Sequence, residues 1–394
     1  MSETKRITDL EKGYVQNVLA TGFSGSAGAT YMLALEKSFA RRYGVGFAIS
    51  MVNGTATLHA ALEAAGIGQG DEVVVPPLTM ASTSLAVIHA NATPVFADVD
   101  PQTFQIDPED IAAKITPRTR AIIPVALYGG CPDLEAVMTL AKRHDLVVVE
   151  DNAQAFLTSF NGRLVGTFGH CASFSFQSSK HLASGEGGII ITDDPDYALR
   201  IRKFAGLGYS TLSPENARIS KEDIQHPDFL RHDTFGWNYR MPELCCGVAL
   251  AQTERMDQLV ALRREAARHY LDLLSGSTLL RPQQLHPNTE HSYWCVACLL
   301  DTDRVDWETF RRTFLDHGGA PFYGAWQLTY REPIFQRHLF GKRAALLTRR
   351  YESVSCPVAE SIQPALIQFK TNFWSRERLE RQMVALEKTL EYLE

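Results

Sequence analysis

Short, continuously apolar segments alternate with amphipathic segments over the first half of this chain. The apolar segments include "DEVVVPP", "PVFADVD", "RAIIPVALYG" and "LVVVEDNA". Between such segments, apolar side chains recur at spacings of three and four, as at Met32, Leu35, Phe39 and Tyr43, which is typical of a helix with one buried face. Parallel strands that are covered by helices on both faces have this pattern. The sequence therefore predicts an α/β fold with a mostly parallel, helix-covered sheet.

The chain is long enough for more than one domain, because 394 residues exceed what a single hydrophobic core usually supports. The alternating pattern fades after about residue 206, and the polar residues 207–235 are expected to form an irregular insertion. One long helix is predicted from about Pro242 to Leu274, and mixed strand and helix signals follow it. We therefore expect three parts: an N-terminal segment (1–28), a large α/β domain (29–255) and a smaller α+β domain (256–394).

The overall charge argues against nucleic acid or an anionic membrane as a partner. The formal net charge is -6, and no block of five or six like charges occurs. The N-terminal sequence "MSETKRITDLEKGY" has no apolar core of a signal peptide, and no run of about 18 apolar residues is present. The expected localisation is cytoplasmic.

The seven cysteines predict neither a disulfide framework nor a metal site. Cys295 and Cys298 have a suggestive spacing in "YWCVACLL", but a zinc site needs a second pair of ligands at matching spacing. The surrounding alternation is typical of a strand, which places the two thiols on opposite faces. Both are expected to be small core residues.

A single lysine stands between a short aromatic strand and a glycine-rich turn in "SFSFQSSKHLASGEGG". Lys180 follows the apolar "CASFSF" segment, so its side chain is expected to leave the edge of the sheet. Gly185, Gly187 and Gly188 permit backbone conformations and close approaches that a side chain would prevent. A lysine that is desolvated in such a place loses its proton more readily, which makes Lys180 a candidate for Schiff-base chemistry.

Two further positions fall where an open α/β sheet binds ligands, at the carboxyl ends of its strands. Asp151 ends the "LVVVE" strand, although an acid there can equally be a helix cap. Gly54 and Thr55 begin a helix after the "FAIS" strand, where free N–H groups attract phosphate, although "NGT" can also be an ordinary turn. The glycine-rich "GFSGSAG" (22–28) is not counted as a phosphate loop, because no strand precedes it.

The order of these features resembles the aspartate aminotransferase fold, fold type I of the pyridoxal-phosphate enzymes. More narrowly, "EDNAQA", "SFSFQSSKHLASGEGG" and "GWNYRMPEL" are similar to the DegT/DnrJ/EryC1/StrS family of sugar aminotransferases. The resemblance extends from about Gly13 to the C-terminus. It implies a large domain that binds pyridoxal 5'-phosphate and a smaller C-terminal domain.

The resemblance also implies roles for the residues around the cofactor ring. Lys180 would form a Schiff base with pyridoxal phosphate and then act as acid and base. Asp151 would pair with the ring nitrogen, and Gln154 would pack on the ring. Met80 stands where the family commonly has an aromatic residue that stacks on the ring. This chain therefore departs from the family pattern there, and a thioether can replace the aromatic contact.

A second group of residues would hold the cofactor phosphate. By the same resemblance, Gly54, Thr55 and Ala56 would offer the helix start and its backbone N–H groups, and Ser175 would add its hydroxyl. Asn238, in "GWNYR", matches a residue that reaches the phosphate from a second subunit. The active sites would then be shared between the two subunits of a homodimer.

The function implied is a ping-pong amino transfer from L-glutamate or L-glutamine to a keto-sugar or keto-cyclitol, in amino-sugar or aminocyclitol (antibiotic) biosynthesis. Gln177 is closer to members that act on cyclitols or unactivated sugars, and the alternative acceptor is a nucleotide-linked keto-deoxysugar. The insertion 207–235 and the segment "APFYGAW" are expected to shape the acceptor pocket. Arg240 and Arg331 were considered for the donor carboxylate, and neither is assigned.

Two other functions remain open from the sequence. In the dehydratase branch of the family a histidine replaces the lysine, whereas this chain keeps Lys180 and has His181 beside it. A non-catalytic sensor that borrows the fold would tolerate the loss of Lys180 or Asp151, and both residues are present. Retention of both favours the aminotransferase.

Overall fold

The structure is a computed structural model of the chain and describes residues 5–23, 30–217 and 225–394. Most of the glycine-rich segment 22–28 and part of the expected insertion 207–235 lie outside the described residues. The rest of the insertion, 207–217 and 225–235, contains turns and isolated bridges such as the one between Tyr209 and His232.

The described residues contain fourteen strands and thirteen α-helices. The strands are β1 (Phe47–Met51), β2 (Glu72–Val75), β3 (Thr93–Phe96), β4 (Thr119–Ile122), β5 (Val147–Asp151), β6 (Ser159–Phe160), β7 (Arg163–Leu164), β8 (Cys171–Ser175), β9 (Gly188–Thr192), β10 (Leu280–Pro282), β11 (Thr289–Glu290), β12 (Cys295–Leu300), β13 (Tyr323–Gly324) and β14 (Leu366–Lys370). The α-helices are α1 (Asp9–Ala20), α2 (Thr30–Tyr43), α3 (Gly54–Ala64), α4 (Ser82–His89), α5 (Pro108–Lys114), α6 (Leu134–His144), α7 (Pro195–Ala205), α8 (Glu243–Glu254), α9 (Met256–Leu274), α10 (Trp307–Asp316), α11 (Pro333–Gln336), α12 (Pro357–Ile362) and α13 (Arg376–Leu393). Short 3-10 helices span Leu127–Gly129, Thr329–Arg331, Gly341–Leu346 and Gln363–Ala365.

The large sheet has seven strands in the order β1-β9-β8-β5-β4-β2-β3. The pairs among β8, β5, β4, β2 and β3 are parallel, and β9 alone runs antiparallel to both of its neighbours. Alternate side chains of β2 enter different hydrophobic cores, with Val73 and Val75 in one and Val74 in another. The sheet is therefore buried on both faces, which confirms the predicted α/β fold.

A second, four-stranded sheet in the order β10-β12-β14-β13 has a core of its own with α9, α10 and α13. Cys298 belongs to this core, whereas Cys295, on the same strand, packs in the core of the large sheet. None of the helices in the described ranges is long and apolar enough to cross a membrane. We propose that the smaller domain begins at Met256.

The prediction of one long helix from Pro242 to Leu274 is wrong in one respect. The structure divides this segment at Arg255 into two helices, α8 and α9. The backbone of Arg255 leaves the helical conformation (φ -105°, ψ 12°). Its guanidinium donates to Oε1 of Glu11 at 2.6 Å and to the carbonyl of Lys5 at 2.8 Å. A contact with the N-terminal segment thus accompanies a break that the local sequence does not signal.

A buried carboxylate connects the start of β2 in the large sheet to the segment before α12. Glu72 on β2 has no exposed side-chain surface and accepts hydrogen bonds from Arg118, Arg349, Thr116 and Thr348 at 2.6–3.3 Å. Burial alone would raise the pKa of Glu72, but the hydrogen bonds and charges of these partners lower it to about 2. The ionised carboxylate therefore stabilises the folded chain.

We predict that Glu72→Gln lowers the free energy of unfolding by about 2–4 kcal/mol at neutral pH, because both arginines lose their counter-charge. The folded-state pKa lies below the ordinary value of 4.5, so this stabilisation is present above pH 4.5 and is lost as the pH falls towards 2. Urea unfolding at a series of pH values should show the difference between wild type and variant narrowing on acidification. Glu352→Gln, which removes an exposed carboxylate paired with Arg350, is the control and should unfold like wild type. A constant difference at all pH values would contradict the prediction.

Candidate active site

A cavity of about 380 Å³ lies at the ends of β5 and β8 and at the start of α3. The structure brings most of the residues expected from the sequence into its lining, namely Gly54, Thr55, Met80, Asp151, Gln154, Ser175 and Lys180. Ala56 and Asn238 are not among the lining residues. The cavity is therefore formed mainly where the parallel strands end, as expected for an open α/β sheet.

Lys180 enters the cavity from the turn that follows β8. Its Nζ lies 5.2 Å from the centre of the Trp294 ring. Burial lowers the pKa of Lys180 to about 8, with Asp151 opposing the shift and Arg263 adding to it. Lysine is ordinarily a strong base, and this environment makes a neutral, nucleophilic amine accessible near neutral pH.

Asp151, the last residue of β5, is only 4% exposed and brings a carboxylate to the same cavity. Its Oδ2 accepts from the Thr83 hydroxyl at 2.8 Å, and its Oδ1 accepts from the Ala153 amide at 3.2 Å. Burial raises the pKa of Asp151, while these two hydrogen bonds and the charge of Lys180 act in the opposite direction. A cationic group in the cavity would therefore find an oriented carboxylate partner.

The start of α3 forms the other end of the cavity. Asn53 is the N-cap residue, and its Oδ1 accepts from the amide of Ala56 at 2.8 Å. This changes the expectation for Ala56, because its amide is already used within the helix start. No acceptor among the described residues bonds the amides of Gly54 and Thr55, so these two can meet an anion.

The glycines after Lys180 have separate structural reasons. A Cβ at Gly188 would lie 2.5 Å from the backbone carbon of Asn53 and 2.7 Å from the amide nitrogen of Gly54. Gly185 adopts φ +89°, a conformation that side chains disfavour, and a Cβ at Gly187 would lie 2.5 Å from Cε of Met241. Gly188 in particular lets the start of α3 lie directly against β9.

Gln154 and Met80 lie on different parts of the cavity wall. Gln154 is 3% exposed, and its Oε1 accepts from the amide of Tyr128 at 2.7 Å, which fixes the side chain. Met80 is 50% exposed, so its thioether lies at the open side of the cavity. The local sequence places both residues, but only the contact with Tyr128 fixes the direction of the Gln154 amide.

Asn238 and the two arginines discussed for the donor carboxylate do not line this cavity. Asn238 is exposed and forms a bridge with Gly206, so its expected role in a second subunit's site stays a prediction. Arg331 pairs with Glu360 at 2.9 Å, and Arg240 does not line the cavity either. The donor carboxylate is not assigned to either arginine.

Several lining residues were not assigned from the sequence. Trp294 and Trp326 come from the smaller domain, with ring centres 6.1 Å apart, and Glu186 comes from the glycine-rich turn. Trp326 does lie in the "APFYGAW" segment that was expected to shape the acceptor pocket. Thr83 was missed because an ordinary helical threonine carries no signal, whereas the aspartate it supports does.

The model of the DegT/DnrJ/EryC1/StrS aminotransferase family matches residues 5–371. The chain belongs to this family. The DegT/DnrJ/EryC1/StrS assignment confirms the resemblance seen in the motifs, and it identifies the protein as an aminotransferase.

Individual members of the DegT/DnrJ/EryC1/StrS family support this assignment. The chain is 37% identical to the GDP-perosamine synthase of Escherichia coli O157:H7 over 296 residues. The aligned residues make up 75% of this chain and 76% of that protein. The chain is 38% identical over 297 residues to the GDP-perosamine synthase of Caulobacter vibrioides, with the same two shares. An aminotransferase structure from Psychrobacter cryohalolentis has a TM-score of 0.87 and 28% identity, and covers 98% of each chain. Together these similarities support an amino-transfer reaction on a sugar.

The contact beneath the cavity gives a stability prediction. Gly188→Ala should lower the melting temperature markedly, because the new Cβ must displace backbone at Asn53 and Gly54, which costs about 1–3 kcal/mol. Gly276→Ala is the matched control, since a Cβ there meets no atom within 4 Å. Thermal unfolding followed by circular dichroism measures both variants. Equal melting temperatures for the two variants would show that the close approach is unimportant.

Proposed function

We propose that this protein transfers an amino group from L-glutamate or L-glutamine to a nucleotide-linked keto-deoxysugar, with pyridoxal phosphate bound in the cavity. The observation that carries the proposal is the arrangement of Lys180, Asp151 and the start of α3 around one space. These groups match the three ends of pyridoxal phosphate. The amine matches its aldehyde, the oriented carboxylate matches its ring nitrogen, and the two unused helix amides match its phosphate. The absence of a side chain at Gly188 lets the start of α3 lie directly against β9, beside these residues.

The residues divide the work by their chemistry. When bound, pyridoxal phosphate supplies a protonated ring that withdraws electrons from the reacting carbon. Asp151 would hold the proton on the ring nitrogen, which also offsets the cost of burying this carboxylate. Nζ of Lys180 would attach the cofactor and, once released, would move the proton at the reacting carbon. Gly54, Thr55 and Ser175 would bind the phosphate.

The remaining assignments follow the family resemblance. Gln154 would pack on the cofactor ring from a side chain that Tyr128 already fixes. Met80 would contact the ring from the open side. Asn238 is exposed, as a residue must be if it reaches the phosphate of a second subunit. We therefore propose a homodimer in which each active site uses both chains.

The curated relatives favour a nucleotide-linked acceptor over a free keto-sugar or a keto-cyclitol. Two are named GDP-perosamine synthase and are more than a third identical to this chain, so a GDP-linked keto-deoxysugar is the first candidate. The contrary signal was Gln177, but its Oε1 accepts from the amide and the hydroxyl of Ser179 at 2.8 and 2.7 Å. Gln177 lines the cavity, but these two hydrogen bonds give its side chain a role in supporting the lysine turn that does not depend on the acceptor.

The dehydratase alternative needs a histidine in place of the lysine amine. His181 is buried, its Nε2 lies 3.0 Å from the carbonyl of Ser292, and it is not among the residues that line the cavity. Burial lowers the pKa of His181 well below its ordinary value, so the ring is neutral. The position that faces the cavity is Lys180, which supports amino transfer.

Covalent trapping tests the role of Lys180. The purified protein incubated with pyridoxal phosphate should absorb in the visible range, and borohydride should fix the cofactor on the peptide that contains Lys180. Lys180→Ala should abolish the label, whereas Lys370→Ala, a lysine outside the cavity, should retain it. A label on another lysine, or none in the wild type, would refute the assignment.

A choice of acceptors tests the substrate class. The enzyme is first loaded with the amino group from L-glutamate or L-glutamine and then offered a GDP-linked keto-deoxysugar, a free keto-sugar or a keto-cyclitol. We expect an aminated product, identified by mass, only with the nucleotide-linked sugar. Product from the free sugar or the cyclitol alone would support the other alternative instead.

Thr83 gives a second functional prediction. Thr83→Val keeps the shape of the side chain but removes the hydrogen bond to Asp151, which is worth about 1.5–3 kcal/mol for a charged acceptor. Amino transfer should therefore slow by roughly 10- to 100-fold, measured as the single-turnover rate with the amino donor. Ser84→Ala is the control, because the Ser84 hydroxyl has no partner among the described residues. A wild-type rate for Thr83→Val would contradict the supporting role.

A further inference from the structure

One buried arginine lies beside the lysine turn without a carboxylate partner among the described residues. Arg263 on α9 is 2% exposed and forms no ion pair within those ranges. Its charge is met only by the dipoles of neutral acceptors, although burying a charge without a counter-charge is costly. A cation kept under these conditions calls for a reason other than stability.

The acceptors of Arg263 show what the side chain holds together. Its Nη2 donates to the carbonyls of Ser179 and Lys180 at 2.9 and 2.8 Å. Its Nη1 donates to the carbonyl of Trp294 at 2.8 Å and to the hydroxyl of Thr371 at 3.3 Å. One guanidinium thus joins the backbone of the lysine turn to two segments of the smaller domain.

The same turn receives two further donors. The indole Nε1 of Trp294 donates to the carbonyl of Ser179 at 3.0 Å, and the ring of Trp294 faces the Lys180 amine. The guanidinium of Arg6, from the N-terminal segment, donates to the carbonyl of Ser178. The backbone carbonyls of Ser178, Ser179 and Lys180 are therefore held by donors from α9, the smaller domain and the N-terminal segment.

The charged and titratable groups around Lys180 act in opposite directions. Asp151 on β5 and the Trp294 ring favour the protonated amine, whereas Arg263 on α9 favours the neutral amine. The Cys295 thiol on β12 has a pKa raised well above its ordinary value, so it is neutral. His181 is likewise neutral, and the charge of Arg6 acts on Arg263.

The balance of these groups decides the state of the amine. Burial lowers the pKa of Arg263 to about 9 and that of Lys180 to about 8, so at neutral pH a charged guanidinium lies close to an amine that loses its proton more readily than an ordinary lysine. Arg263 is the one cation among the groups that shift Lys180. Its removal would leave Asp151 as the only charged group in that set.

We propose that Arg263 is the positioning residue of Lys180: its guanidinium fixes the turn that carries the lysine, and its positive charge disfavours protonation of the lysine amine. This inference rests on the proposed role of Lys180 in binding the cofactor. Arg263 lies behind the turn and is not among the residues that line the cavity, so its effect is exerted through Lys180.

The test is the titration of the Lys180 amine in the full-length protein without cofactor. Trace acetic anhydride is reacted across a pH series that brackets 8, and the label on each lysine is measured by peptide mass spectrometry. Wild-type Lys180 should titrate near pH 8, and the label on the exposed Lys388 serves as the internal reference for the amount of reagent. Loss of the positive charge in Arg263→Gln should raise the Lys180 midpoint by about one unit or more, leaving about tenfold less neutral amine below the midpoint.

Two more variants make the experiment decisive. Arg263→Met also removes the charge but fills the space with an apolar side chain, so it serves if Arg263→Gln does not fold. Arg264→Gln is the matched control on the same helix, since Arg264 also donates to two backbone carbonyls, of His291 and Leu157, at 3.0 and 2.8 Å. It should lower thermal stability without moving the Lys180 midpoint.

Three results would overturn the inference. They are an unchanged Lys180 midpoint in a folded Arg263 variant, an equal shift in Arg264→Gln, or a wild-type Lys180 midpoint that is not lowered from the ordinary lysine value of 10.5. Borohydride trapping is a separate measurement with cofactor present. A failure to trap the cofactor on Lys180 would therefore refute the proposed function, whereas the titration result would stand on its own.

Discussion

The close approach of three backbones, at the start of α3, the end of β8 and the start of β9, determines the site. Gly188 leaves no room for a side chain against Asn53, so the helix start and the strand end lie in direct contact. The unused amides of Gly54 and Thr55 therefore lie beside the strand that leads to Lys180. If this contact were wider, an anion at the helix and an aldehyde at the lysine could not belong to one small molecule.

The chemistry around Lys180 and Asp151 depends on burial, which shifts the pKa values of these two groups in opposite directions. Burial lowers the pKa of Lys180 and raises that of Asp151, so each group is drawn towards its neutral form while each favours the charged form of the other. Thr83 on one side and Arg263 on the other bias this balance through a hydrogen bond and a charge. Neither of these two residues lines the cavity.

The smaller domain contributes residues both to the cavity lining and to the support of the lysine turn. Trp294 contributes a ring to the cavity and, with Thr371, gives Arg263 acceptors outside the lysine turn. Glu72 similarly connects the start of β2 in the large sheet to Arg349, far along the chain. Contacts between residues distant in sequence thus decide both the stability and the reactivity of a site whose main residues lie on local motifs.

The spacing of apolar residues was enough to predict the mostly parallel sheet. Continuously apolar segments alternate with segments in which apolar residues recur every three or four positions, and this is the pattern of buried strands and amphipathic helices. The local motif also singled out Lys180, whereas the local pattern left Asp151 and the helix start at Gly54 open, and the family resemblance supplied their expected roles. The break at Arg255, the cap that occupies the Ala56 amide and the support from Thr83 and Arg263 required the folded chain. These features arise from hydrogen bonds whose partners are set by packing, and in the case of Arg255 and Arg263 the partners lie many residues away, so no local pattern encodes them.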